Sequence, residues 1–171
     1  MIYRKLAVCM AGIAGIFLLS DTVQAENTDK SLGEEELARI VWLSKNCPAV
    51  AEVVVQQRNF QYEMWNENKV EIPFTHLGLA VKEIVYNKAK SELENVYFPG
   101  GKIGENEIWF SHSPNDISPG DKLILFYGKY QDFISPCSGD IGVFKIENQM
   151  VHGTNLTVDE FKQIIRKEVS K

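Results

Sequence analysis

Apolar residues repeat with a helical period at both ends of the region that follows residue 30. Near the start of this region the stripe consists of Leu37, Ile40, Val41 and Ser44 at positions i, i+3, i+4 and i+7, with the small Ser44 in the last position, and a capping-box spacing at 31–34 precedes it. This pattern predicts an amphipathic helix over residues 32–45, which ends before Pro48 because a residue preceding proline disfavours helical geometry. At the C-terminus, Thr157 and Glu160 give a second capping box, and an apolar stripe follows it: Val158, Phe161, Ile164, Ile165 and Val169. We therefore expect a C-terminal helix that packs on the rest of the fold.

Between the two helices the pattern changes to short apolar runs separated by turn residues. Runs rich in Val, Phe, Tyr and Ile predict strands at 51–57, 60–65, 74–86, 96–98, 107–112, 122–130 and 142–147. Turns are predicted where Gly, Pro, Asn and Ser collect, at 66–69, 99–101 and 118–121. Strands punctuated at this short spacing are typical of an all-β barrel or sandwich. Residues 31–171 contain no linker and no internal repeat, so we expect one domain.

The first 25 residues have the three regions of an export signal. Arg4 and Lys5 precede a run of 14 uncharged residues at 6–19, and Val23-Gln24-Ala25 matches the small-x-small pattern of a signal-peptidase site. An uncleaved membrane anchor is the alternative, but such a run falls short of the roughly 20 apolar residues that cross a bilayer. We expect a signal peptide at 1–25, a flexible leader at 26–30, and a mature protein that is periplasmic or secreted, without stable membrane insertion.

Two cysteines remain after removal of this signal, which takes Cys9 with it. Two cysteines in an exported chain most often pair, so the sequence predicts a disulfide between Cys47 and Cys137. Closing the loop between them stabilises the folded state by roughly 4–5 kcal/mol on the chain-entropy model. Two free thiols or a catalytic cysteine are the alternatives. No His, Asn or Asp setting typical of a catalytic cysteine is recognisable around either residue.

Six short motifs follow one another along residues 37–144. They are Leu37-Ala38-Arg39-Ile40-Val41, Ala51-Glu52-Val53-Val54-Val55, Val81-Lys82-Glu83-Ile84-Val85, Pro99-Gly100-Gly101-Lys102-Ile103-Gly104, Pro119-Gly120-Asp121-Lys122-Leu123-Ile124-Leu125-Phe126 and Gly139-Asp140-Ile141-Gly142-Val143-Phe144. Their order resembles that in a widespread group of exported bacterial proteins of unassigned activity. The pattern, which covers about residues 34–147, is more distantly similar to the OB-like barrel of netrin-type modules and tissue inhibitors of metalloproteinases.

This resemblance implies a mainly β fold. The expected architecture is an OB-like closed or partly open barrel of six to seven strands, flanked by an N-terminal and a C-terminal α-helix. The resemblance implies no catalytic residue. The metalloproteinase inhibitors chelate zinc through a free N-terminal cysteine, and that mechanism does not transfer because the expected mature N-terminus is Glu26.

Composition and charge exclude several classes of partner. The chain is 44% hydrophobic, and 23 acidic against 18 basic residues give a net charge of -5. This charge argues against general nucleic-acid binding and against a polybasic membrane-surface protein. His76, His112 and His152 stand apart without metal-ligand spacing, and the sequence has no nucleophile elbow or phosphate-loop motif. We therefore expect no cofactor, no metal and no enzymatic activity.

Aromatic residues near polar turns are the candidates for ligand contact. Trp65 precedes the turn at 66–69, Trp109 lies on a predicted strand, and Tyr130 precedes a polar pair of residues. Aromatic side chains on exposed strand faces of OB-like barrels stack on sugars or bases. Lys102, in the Gly-rich segment 99–104, is the candidate for an anion contact, although a turn explains the glycines there. The alternative is that the aromatic residues fill the core.

The sequence thus favours an exported, non-enzymatic binding or protein-interaction module with a protein or carbohydrate ligand. Two alternatives stay open. One is a protease inhibitor that acts through barrel loops. The other is a hydrolase or metal-dependent enzyme whose site residues are dispersed along the chain.

Overall fold

The computed structural model describes residues 33–65 and 70–171. In chain order the elements are helix α1 (Glu34–Asn46), strands β1 (Ala49–Trp65), β2 (Val70–Asn87), β3 (Asn95–Pro99), β4 (Gly101–Ile103), β5 (Asn106–Ile108), β6 (Lys122–Tyr130) and β7 (Phe133–Pro136), a 3-10 turn (Gly139–Gly142), strands β8 (Val143–Glu147) and β9 (Met150–Val151), and helix α2 (Val158–Val169). The predicted signal peptide at 1–25, the leader at 26–30 and the turn at 66–69 lie outside the described residues. In the part of the chain that is described, no helix is long and apolar enough to span a membrane.

Strands dominate the fold, as the sequence predicts. Seven of the described strands form one antiparallel sheet in the order β3-β2-β1-β6-β8-β9, with β7 paired to the C-terminal part of β6. Strands β4 and β5 form a separate hairpin. Of the two forms that the sequence predicts, closed and partly open, the closed barrel is wrong, because in the described residues no ladder joins the two edges of the sheet.

Strand β3 nevertheless approaches β7, and side chains join the two strands where a backbone ladder is missing. Ser135 Oγ donates to Tyr97 O at 2.6 Å, and the rings of Tyr97 and Phe133 lie 5.3 Å apart. Each strand ends in a proline, Pro99 or Pro136, and proline has no N–H to contribute to a ladder. We call this junction the β3–β7 seam.

Strand β1 is a single strand of 17 residues, where the sequence predicts two strands at 51–57 and 60–65. Arg58 continues the ladder with β2 opposite Leu77. Its Nη1 donates to Ile117 O at 2.7 Å. Nη2 donates to Asn115 O at 3.1 Å, whereas the buried Nε has no hydrogen-bond partner among the described residues. Carbonyls from another segment thus bind the end of this mid-strand guanidinium.

Strand β6 has the predicted bounds and is buried on both faces. Ile124 and Phe126 belong to the core beneath the two helices, whereas Leu123, Leu125 and Tyr127 belong to the core formed with β1, β2 and β3. A continuous apolar run is typical of a strand covered on both sides. The sheet therefore has one core on each side, and β6 separates them.

The two helices begin differently from one another. Helix α2 has the predicted capping box, in which Thr157 N donates to Glu160 Oε2 at 2.8 Å and Glu160 N donates to Thr157 Oγ1 at 3.3 Å. Helix α1 instead begins at Gly33, whose N–H donates to Glu36 Oε2 at 3.2 Å. The apolar face predicted for α1 is wrong at Leu37, whose side chain is 41% exposed.

A buried lysine fastens α2 to the sheet. Lys162 Nζ donates to Glu52 on β1 and, at 2.7 Å, to Glu83 on β2, and Arg166 binds the same Glu83. Burial alone lowers the pKa of Lys162, but the two carboxylates outweigh it and the pKa is raised. In return, the hydrogen bond from Lys162 and the nearby charge of Arg166 lower the pKa of Glu83. These contacts determine where α2 lies across β1 and β2.

Replacing Lys162 with Met is expected to lower the free energy of unfolding by about 1–3 kcal/mol, because Glu52 loses the cation that binds it and Glu83 keeps only Arg166. Urea unfolding at neutral pH measures the change. Lys167→Met, on the exposed face of the same helix, is the matched control and should stay within about 0.5 kcal/mol of the wild type.

The difference in the free energy of unfolding between the wild type and Lys162→Met should also depend on pH. The folded pKa of Glu83 lies below its ordinary value of 4.5, so the stabilisation by the cation is complete above that pH and is lost as the pH falls through the folded pKa. The stability gap should therefore shrink in acid below pH 4.5. An unchanged gap in acid would contradict the assignment.

Candidate functional site

A cavity of about 490 Å³ opens where the C-terminal part of β6 meets β7, the end of β3 and the segment 110–113. Small-molecule sites typically measure about 300–1,000 Å³ and are mainly apolar. The wall here is rich in rings, which belong to Pro48, Phe74, Phe98, Pro99, Phe110, Tyr130 and Pro136. The cavity therefore has the size and the lining of a site for a small molecule.

A glycine on β6 makes room at the wall. A Cβ atom at Gly128 would lie 2.9 Å from Pro48 Cγ and 3.9 Å from Cys137 Sγ. Because Gly128 has no side chain, Pro48 and Cys137 both approach the strand closely. The missing side chain of Gly128 also leaves space in the cavity that a larger residue at this position would fill.

The polar groups of the wall are few and mostly uncharged. Ser113 and Ser135 each donate the hydroxyl to a backbone carbonyl at 2.6 Å. Lys129 is exposed, and His112 is the other basic residue of the wall. Among the described residues that line the cavity there is no Asp or Glu. The wall therefore favours an anionic group over a cationic one.

Cys137 lines the cavity, and Cys47 lies beside it in the adjoining core. The predicted disulfide is not formed in this structure, where both residues are free thiols. The two side chains lie close enough for each to shift the pKa of the other. The fold thus brings together two residues that are far apart in sequence, as the bond requires, while the bond itself stays a prediction.

The contact makes the two thiols unequal. The contact with Cys47 lowers the pKa of Cys137 below the ordinary 9.0, although burial acts in the opposite direction. The pKa of Cys47 is raised, first by its contact with Cys137 and then by burial. Cys137 is therefore the thiol that ionises first, and a thiolate is the nucleophilic form of cysteine.

A tight loop after β7 holds Cys137 in place. Ser138 and Gly139 both have left-handed backbones, with φ of 55° and 65°. A Cβ atom at Gly139 would lie 2.0 Å from His112 O, and one at Gly142 would lie 2.2 Å from Cys137 O. Close backbone contacts on both sides of the loop therefore fix the position of Cys137 in the wall.

The same loop pairs His112, which lines the cavity, with Asp140, which does not. Asp140 N donates to His112 O at 2.8 Å, and Asp140 Oδ1 lies 3.4 Å from His112 Nδ1. Sequence reasoning missed this pair because nothing near Cys137 in sequence marks His112 as a neighbour. The only nearby residues in the sequence that relate to this pair are Gly139 and Asp140, and Asp140 contacts His112 only in the folded chain.

The structure brings one of the four predicted ligand-contact residues to the cavity. Tyr130 lies in its wall. Trp109 and Lys102 lie elsewhere, where Trp109 Nε1 donates to Glu107 Oε1 at 2.8 Å and Lys102 Nζ lies 3.2 Å from Glu107 Oε2. Trp65 is the last residue of β1, and its side chain lies outside the described part of the chain.

The histidines do not gather into a metal site. Within residues 33–65 and 70–171, no group of three or more His, Cys, Asp and Glu side chains could hold a metal ion. His76 packs edge-on against Tyr97, with 4.2 Å between ring centroids, and burial lowers its pKa. His152 Nδ1 lies 3.7 Å from Glu147 Oε2.

The sequence matches no protein-family model and no curated protein. The functional interpretation therefore depends on the geometry of the cavity and of the cysteine pair.

Gly139→Ala is expected to destabilise the protein more than Gly104→Ala. Both glycines have a left-handed backbone, with φ of 65° and 60°, and this costs an alanine about 1–2 kcal/mol. A Cβ atom at Gly104 meets no atom within 4 Å, whereas one at Gly139 meets His112 O. The collision should add about 1–3 kcal/mol, measured by urea unfolding. Equal losses in the two variants would contradict the tight packing of the loop.

Proposed function

We propose that this chain is a binding module whose cavity takes a small molecule with an apolar body and an anionic group. The observation that carries the proposal is the ring-lined cavity of about 490 Å³ at the C-terminal part of β6. The proposal concerns binding and assigns no reaction to the ligand.

The apolar body is proposed from the exposed rings of the wall. Tyr130 is 52% exposed and Phe110 is 41% exposed, and both face one cavity. Removing apolar surface from water contributes about 25 cal/mol for each Å². A ring stacked on an aromatic side chain adds about 0.5–1.5 kcal/mol. A flat or aliphatic ligand body would therefore gain free energy by covering these two rings.

The anionic group is proposed from the local charge. The whole chain carries a net charge of -5, yet the described residues of the wall include Lys129 and His112 and no Asp or Glu. Asp140, which lies outside the wall, is 3.4 Å from His112 Nδ1 and offsets that histidine, so Lys129 is the cation that the wall offers to an anion. An exposed lysine contributes up to about 1 kcal/mol to holding an anion, and salt screens the attraction.

We also interpret the curled sheet as a partly open OB-like barrel with the β3–β7 seam as its opening. The residues of the wall support this view, because Phe98 and Pro99 come from β3 and Ser135 and Pro136 come from β7. We further propose that the protein acts in the periplasm or outside the cell, from the export signal predicted at 1–25.

The proposal is tested by titrating the protein with anilinonaphthalene sulfonate, an apolar anionic dye, and following its fluorescence. We expect one site per chain. Tyr130→Ala should raise the Kd about fivefold, the effect of losing about 1 kcal/mol of contact. Lys129→Gln should raise the Kd up to about fivefold at low salt and less at high salt.

Two matched substitutions away from the cavity serve as controls. Tyr62→Ala removes a tyrosine of similar exposure from β1, and Lys122→Gln removes a lysine from the other end of β6. Near-ultraviolet circular dichroism checks that each variant keeps its packing, because loosened proteins also bind this dye. If the control variants lose as much affinity as the cavity variants, the dye does not occupy this cavity and the proposal fails.

A further inference from the structure

The two cysteines differ in access to the cavity. Cys137 is partly exposed and lines the cavity, and its Sγ lies 3.9 Å from the position that a Cβ atom would take at Gly128, in the same wall. Cys47 is 5% exposed and lies among core residues. One thiol is therefore open to an incoming reagent, whereas the other is reached through the first.

The fold holds both backbones by hydrogen bonds. Cys47 N donates to Leu43 O at 2.8 Å at the end of α1, and Cys137 N donates to Phe126 O at 2.8 Å on β6. The carbonyl of Pro48, next to Cys47, accepts from Lys88 N at 2.9 Å. The backbone positions of the two cysteines are therefore fixed by secondary structure.

The electrostatic setting distinguishes the roles of the two thiols. The contact with Cys47 lowers the pKa of Cys137, whereas the contact with Cys137 raises the pKa of Cys47, so the thiolate forms on the cysteine that lines the cavity. No acidic residue among the described lining residues repels a thiolate or an anionic reagent. An accessible thiolate backed by a buried thiol is the arrangement that thiol–disulfide exchange requires.

We propose that Cys137 and Cys47 form a thiol–disulfide exchange centre that reacts with small disulfides entering the cavity. The Cys137 thiolate attacks one sulfur of a disulfide R–S–S–R, forming Cys137–S–S–R and expelling R–S⁻, which takes the proton that Cys137 released. Cys47 then attacks the Cys137 sulfur and expels the second R–S⁻, which takes the proton of Cys47. Two electrons pass from the protein to the reagent, and the products are one Cys47–Cys137 disulfide and two R–SH.

This activity uses the wall of the cavity but does not require the anionic ligand of the proposed function. It also differs from a purely structural disulfide. A structural cross-link forms once during folding, whereas an exchange centre is oxidised and reduced in the folded protein.

The probe is dithiobis(nitrobenzoate), an aromatic disulfide that bears carboxylates, added to the reduced, folded full chain with Cys9→Ser as the common background. We expect two thiol products per chain. The first should appear at a rate proportional to reagent concentration and the second at a rate independent of it. The protein should end without a bound probe and with both cysteines oxidised, as mass spectrometry measures, and a small dithiol should reverse the reaction without denaturant.

Single variants separate the two roles. Cys47→Ser should release one thiol product and retain the probe on Cys137. Cys137→Ser should react at least about tenfold more slowly, because Cys47 is buried, and Cys137→Ala gives a second version of the same test. Cys47→Ala should also shift the pH midpoint of the first step upward relative to Cys47→Ser, because serine keeps a hydrogen-bond donor beside Cys137 and alanine does not.

Three outcomes would overturn the proposal. The first is a Cys137→Ser variant that reacts as fast as the wild type. The second is a wild type that keeps two bound probes without closing the internal bond. The third is an internal bond that the dithiol reduces only after denaturation, which would identify a structural cross-link. Dye titration of the same variants is read separately, so loss of exchange with retained dye binding leaves the proposed function standing.

Discussion

The hydrogen-bond ladder along one edge of β6 is the constraint from which the site follows. Residues 122–125 of β6 pair with β8, and residues 127–130 pair with β7. Two separate strands thus pair with successive parts of the same edge of β6. The chain leaves this ladder at Cys137 and rejoins it at Val143. A short excursion that returns to the same edge requires a tight backbone, which the left-handed Ser138 and Gly139 provide. The interruption between β7 and β8 thus places Cys137 and the adjoining loop in the cavity wall.

On the other face of the sheet, α2 is attached through an ion cluster formed by Lys162, Arg166, Glu52 and Glu83. Taking Lys162 out of water costs several kcal/mol in the absence of partners, and the partners come from two different strands, Glu52 on β1 and Glu83 on β2. Because the two carboxylates come from neighbouring strands, Lys162 ties α2 to both strands at once. Phe161 and Ile165 on the same helix are fully buried in the core beneath it. The ion pairs and the apolar contacts therefore act together to hold the helix.

Local signals in the sequence predicted the elements that depend on nearby residues. The Thr157 capping box and the bounds of β6 were found because capping chemistry and apolar runs act over a few residues. The long β1 was divided in two because the partner of Arg58 is a carbonyl at Ile117, which is remote in sequence. The closed barrel was wrong for a similar reason, since the end of pairing at Pro99 and Pro136 matters only when β3 and β7 meet. Of the candidate site, Tyr130 was predicted to contact ligand, while its association with His112 and Cys137 depended on the fold.

The β3–β7 seam divides the cavity wall between two strands that no backbone ladder joins in the described residues, and both strands contribute to that wall. The contacts across the seam are made by side chains. Ser135 donates to Tyr97 O, the rings of Tyr97 and Phe133 pack together, and Ile134 packs against the core that contains Val96 and Phe98. Because these contacts do not belong to a strand ladder, a substitution at the seam changes the shape of the cavity while the strand pairing stays intact.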